Sequence, residues 1–128
     1  MRFQRWKIRF SEDMINSHDL MEKKSALDFL IDALQYLISI QEGNRNKQYA
    51  ALAKNVNADQ NSKVYLVIKQ ELNELMKLSN EYFDIRHNDY LNDAKEKREP
   101  LNDSQFIEYL YNRGYALLYL LRLKNNLE

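Results

Sequence analysis

A chain of 128 residues in which 19 basic and 19 acidic side chains cancel, with no cysteine, two glycines and one proline, is bounded before any motif is read. Its length suits one domain, able to bury about two-thirds of the surface its unfolded form exposes. The missing cysteines exclude disulfides, zinc-thiolate centres and thiol nucleophiles, and the zero net charge excludes a protein-wide field that would gather nucleic acid or coat a membrane.

So few glycines and prolines leave few places for tight turns, which favours long helices over a many-stranded fold. The opening MRFQRWKIRF lacks the continuous apolar core of a secretory leader. The longest apolar run, Tyr115 to Leu121, is far short of the ~20 residues that span a bilayer. These features predict a soluble, cytoplasmic protein with no membrane partner.

In residues 1–10, Trp6, Ile8 and Phe10 alternate with Arg5, Lys7 and Arg9. That is the period of a half-buried strand with a basic face, or of an extended aromatic arm laid over helices. Ser11 is placed to cap a short turn. Asp19 and Glu22 have capping-box spacing for the first main helix, in which Leu27, Leu30, Ile31, Leu34, Leu37 and Ile38 recur at steps of three and four, and Gly43 marks its stop. Tyr49, Leu52, Ala53 and Val56 repeat the pattern in a second helix, ended by the polar stretch 55–61, with Asp59 the expected cap of the next. The third helix starts near Asn61 and carries Val64, Ile68, Leu72 and Leu75 on one seam, beside Val67 and Met76, with room to run as far as Ala94. Residues 95–100 form a connector. Asn102 and Gln105 open the last helix, which extends to about Lys124.

In that last helix Phe106, Ile107, Leu110, Tyr111, Leu117, Leu118, Leu120 and Leu121 cover more of the circumference than one neighbour hides, which predicts a shared interface, most simply a two-fold homodimer. Gly114 within it predicts a close backbone approach. The expected architecture is all-α: a single domain, 1–128, with a bundle of four main helices over 19–124 and a short N-terminal strand or extended arm.

Beyond Leu75 the buried seam of the third helix projects onto Ser79, Tyr82, Arg86, Asp89, Tyr90 and Asp93, turning polar without leaving its face. A buried Arg86 would need Asp89, Asp93 or the Tyr82 hydroxyl, because an unpaired buried charge costs several kcal/mol. The plainer account is a helix that outruns the core, with Arg86 and Asp89 a surface pair worth little.

The run Tyr82-Phe83-Asp84-Ile85-Arg86-His87-Asn88-Asp89-Tyr90, late in a helical chain and followed by one more helix, resembles the HEPN superfamily. Its signature is an Arg followed by a polar residue and, a turn or more later, a His. The resemblance implies a homodimer whose paired Arg and His line a cleft and cut RNA without metal, in toxin-antitoxin or antiphage systems. There the Arg stabilises charge on the phosphorane while the His moves a proton during attack by the ribose 2'-hydroxyl. Arg86 and His87 match the first half of the signature. Where the family places its His, this chain has Leu91, Asn92 and Asp93. Asn92 hydrogen-bonds but does not titrate near neutral pH, and His87 points about 100° around a helix from Arg86.

The candidate catalytic set is therefore Arg86, His87 and Asn92, with Tyr82, Asn88, Tyr90, Lys95, Lys97 and Arg98 as substrate-binding residues. No metal or other cofactor is expected, since no His, Asp or Glu set has ligand spacing. The partners expected are a second copy, RNA, and a protein such as an antitoxin or regulator. The competing reading is a non-enzymatic helical interaction protein that docks through its last helix.

Overall fold

The computed structural model describes residues 5–82 and 99–125, with only the backbone of Arg5, Glu81 and Tyr82 included. These residues form an all-helical fold: α1 (Arg5–Met14), α2 (Leu20–Ser39), α3 (Arg45–Val56), α4 (Lys63–Lys77), a π-helical turn (Leu78–Tyr82) and α5 (Ser104–Lys124).

α2 organises the rest. Asp19 caps it, its carboxylate accepting the Met21 N–H at 2.9 Å, which satisfies one of the donors a helix start leaves orphaned. The anticipated seam from Leu27 to Ile38 is buried, and so are Ala26 and Ala33. Together these positions cover more than one stripe, so α2 must be enclosed by neighbours, and α1, α3 and α5 all pack on it. Gly43, at φ 95°, turns the chain out of α2, a backbone conformation glycine adopts without strain. Asn44 then caps α3 by accepting the Lys47 N–H at 2.9 Å.

The N-terminal segment is a helix, not the strand or extended arm that its alternation predicts. From Arg5 to Met14 the chain is α1, and Ile8 and Ser11 form its buried stripe at a helical step, with Ile15 buried just past its end. Trp6 and Phe10, spaced i and i+4, both meet Phe29 of α2 edge-on, with ring centroids 6.2 and 5.4 Å away. Six alternating residues fit either period; a strand would need a paired edge, whereas a helix buries Ile8 against α2 alone. Ser11 is accordingly no cap. It lies inside α1, donating to the Ile8 carbonyl at 2.6 Å and meeting the Tyr111 hydroxyl of α5 at 2.9 Å. Since the single Ser11 proton goes to Ile8, Tyr111 donates to Ser11.

Two other caps fall beside their expected places. Asp59 accepts the Asn61 N–H in the preceding turn, while Ser62 caps α4 through the Val64 N–H at 3.1 Å. Asp103, not Asn102, opens α5, taking the N–H groups of Gln105 and Phe106 at 3.0 and 3.1 Å. A carboxylate there also faces the positive end of the helix dipole. In α4 the buried stripe is Tyr65, Ile68, Leu72, Leu75 and Met76. Val64 and Val67 are about half exposed, because rotation toward Tyr65 buries the larger aromatic surface. The projected seam does reach Ser79, which is buried and donates to the Met76 carbonyl at 3.0 Å. α-Helical bonding stops at Lys77 and a π turn follows. The projected continuation to Ala94 lies outside the described residues from position 83 on.

The broad apolar face of α5 is met inside the chain. Ile107, Leu110, Tyr111, Leu117, Leu118 and Leu121 are buried, and Phe106 and Leu120 pack against the same core. That face therefore supplies no argument for a second copy. Gly114 is needed for a close approach, but by a side chain of the same chain: a Cβ there would lie 3.2 Å from Leu30 Cδ2. Lys23, on α2, is a buried cation, its ammonium donating to the Ile15 carbonyl at 2.8 Å and to Glu108 at 3.0 Å. It ties the α1–α2 connection to α5. Among the described residues no helix is long and apolar enough to cross a membrane.

Lys23→Met should destabilise the fold by about 1–3 kcal/mol, because the Ile15 carbonyl loses its buried donor. Glu108→Gln, at a carboxylate 44% exposed, should cost no more than about 1 kcal/mol. Urea unfolding midpoints test this, and equal losses would contradict it. Burial pushes the Tyr111 hydroxyl above its ordinary pKa of 10.0. The native state then holds a proton that the unfolded chain releases, so this stabilisation is complete below pH 10 and disappears as pH rises through the native value. Thermal melts from pH 8 to 11 should show a shallower alkaline decline for Tyr111→Phe than for the parent chain (about 10 being the free-tyrosine value).

Candidate functional site

Of the residues that the sequence nominates, only Tyr82 is reached, by its backbone, as the last residue of the π turn. Arg86, His87, Asn88, Tyr90, Asn92, Lys95, Lys97 and Arg98 lie outside the described residues, as does the Tyr82 side chain. The described residues do place a polar trough along the helix that leads into that segment.

The trough arises from a partition of charge on α4. Arg113 of α5 grips Glu71 with two hydrogen bonds, Nε at 2.8 Å and Nη2 at 2.6 Å, and its Nη2 also reaches Glu74 at 3.0 Å. A planar guanidinium suits such a fork, and the Glu71 bonds hold Arg113 more firmly protonated than an ordinary arginine. Both carboxylates are thereby engaged toward α5. The α4 face toward α3 carries Leu66, Lys69, Gln70 and Asn73, at steps of three and four.

Across from them stand Arg45, Asn46 and Tyr49 of α3, and the space between is a groove of about 640 Å³. Among the described residues no carboxylate lines it. A second hollow of about 370 Å³, sharing Gln70 and Asn73, continues along α4 to Glu74, Lys77 and Leu78. From Lys69 to Lys77 the trough runs about 12 Å at the helical rise per residue, and its described lining reaches the π turn at Leu78. Tyr49 is buried at the groove wall. Desolvation raises its hydroxyl pKa and Arg45 draws it back, so at neutral pH it is an uncharged donor.

Chemically, the described residues of the trough offer three cations, Arg45, Lys69 and Lys77, with three carboxamides and a phenol, to an elongated anion, and Glu74 on the rim is taken up by Arg113. Among the described residues no group of three His, Asp or Glu side chains is positioned to hold a metal ion. The sequence carries a signal for the trough: positions 66, 69, 70, 73 and 77 share a helix face that excludes Glu71. It is faint because Glu74, on the rim, interrupts the basic run, and only Arg113 reveals where the carboxylates turn. Searches for relatives returned no matching family model, no matching curated protein and no matching solved structure.

Proposed function

We propose that this chain is an RNA-directed module of HEPN type, acting in bacterial defence or in a toxin-antitoxin pair. Its frame is that of a metal-independent endoribonuclease, in which Asn92 occupies a position where the family allows His. The observation that carries this reading is Arg86-His87 within Tyr82–Tyr90, between a long helix and the final one. An all-helical fold fits it. So does the π turn at Leu78–Tyr82 next to the segment, since such turns are frequent at functional sites.

In this frame Arg86 stabilises the charge that builds on phosphorus when the ribose 2'-hydroxyl attacks. Two copies contribute their Arg86 segments to one cleft, a pairing that comes from the resemblance, since α5 spends its apolar face within the chain. Tyr82, Asn88 and Tyr90 flank the strand, with Lys95, Lys97 and Arg98 extending its phosphate track. The module works in the cytoplasm.

Asn92 favours a second reading, a non-enzymatic module that binds RNA or a protein partner, an antitoxin or regulator, without cutting. An amide orients a substrate or water but does not shuttle a proton at neutral pH.

RNA cleavage in EDTA by the chain as it stands, by Asn92→His, and by Asn92→His with Arg86→Ala separates the readings. The nuclease frame predicts cleavage gained with the histidine and lost with Arg86. Three inactive, folded proteins would set the nuclease frame aside in favour of the binding module.

A further inference from the structure

We propose that the trough between α3 and α4 is a binding site for the phosphate backbone of single-stranded RNA, held by Arg45 and Lys69 and followed along α4 to Lys77. The choice of RNA as the strand rests on the reading above; the anion site itself uses none of the Arg86 segment.

A chain of zero net charge attracts a polyanion only where its charges are segregated. Here the segregation has a visible cause, since Arg113 takes up Glu71 and Glu74 on the α5 side. Lys69 and Arg45 line the main groove, which no carboxylate enters among the described residues, and Glu74, on the rim of the extension, is held by Arg113. Among the described residues neither cation forms an ion pair that an anion would have to displace. A guanidinium is matched to phosphate as a two-pronged donor, and a lysine serves as a mobile point charge.

The remaining lining residues favour a nucleic acid over an acidic peptide. Asn46, Gln70 and Asn73 each present a donor and an acceptor, the pairing that base edges and 2'-hydroxyls require; carboxylates need donors alone. The dimensions agree. The main groove and its extension form one open trough rather than a closed pocket, as a strand passing through requires. Because the described lining of the trough reaches the π turn, a strand lying in it would be delivered toward the segment that begins at Tyr82.

Fluorescence anisotropy with a labelled oligouridylate tests this on the chain as it stands. Arg45 is exposed and Lys69 half-buried, so Arg45→Ala/Lys69→Ala should melt like the parent. Asn73→Asp adds a carboxylate to the groove without removing a cation. The double variant should bind about tenfold more weakly or worse, and its salt dependence should flatten by about 0.7 in log–log slope for each cation removed. Asn73→Asp should also weaken binding, and Lys124→Ala, at the far end of α5, should not. Arg86→Ala separates the two proposals. Binding that survives loss of Arg86 but not of Arg45 and Lys69 supports the groove even if no variant ever cuts RNA. Binding that depends on Arg86 and ignores the groove variants overturns the groove and leaves the nuclease frame standing. Absence of binding by the parent chain, or equal displacement of the RNA by polyglutamate, also overturns it. Displacement by uridine monophosphate at concentrations comparable to the oligomer's would contradict a strand site and identify a mononucleotide pocket instead.

Discussion

The enclosure of α2 is the constraint on which the rest of the structure depends. A helix that buries Leu27, Leu30, Leu34, Leu37 and Ile38 together with Ala26 and Ala33 cannot sit at the edge of a two-layer packing; it requires partners on several sides. α1, α3 and α5 supply them. The small residues set the approach: Ala26 and Ala33 present little bulk, and Gly114 of α5 admits Leu30 where a Cβ would crowd it at 3.2 Å. Dense interiors accommodate such contacts only when shapes match, so the glycine within α5, costing about 1 kcal/mol in helix propensity, is offset by packing against α2.

Polar ties then fix the outer helices in register. Lys23 joins the end of the α1 connection to α5, and Ser11 with Tyr111 joins α1 to α5 directly. Arg113 joins α5 to α4. Each is a buried or half-buried polar contact whose loss leaves an orphaned group, and that penalty selects one arrangement over sliding alternatives. The same Arg113 contact pairs the Glu71 and Glu74 carboxylates that flank the basic face of α4. Fold and candidate site are therefore linked through one side chain.

Much of the fold was legible because long helices repeat their signal. The steps of three and four in α2, α3 and α5, Asp19 as a cap and Gly43 as a stop are local rules written several times over. What escaped was written once or written ambiguously. Six alternating residues in α1 suit a strand as well as a helix, and only the position of Phe29 decides between them. Neighbouring polar residues, Asn102 and Asp103 or Asp59 and Ser62, compete as caps at a resolution finer than periodicity provides. The breadth of the α5 face suggested a second copy because the sequence does not show that α2 and α3 both pack on it. The trough was hidden by Glu74, whose charge is claimed from another helix. The Arg86 segment was read from the sequence alone and lies beyond the described residues.

On the proposed reading, RNA runs along α4 and onto the segment that follows it. Ultraviolet cross-linking of the protein to oligouridylate, with the adducts mapped by mass spectrometry, tests this most directly. Adducts are expected on peptides containing Tyr49, on those spanning 66–77, and on those spanning 82–92. Adducts confined to α1 or to the end of α5, or none at all under conditions where binding is measured, would contradict it.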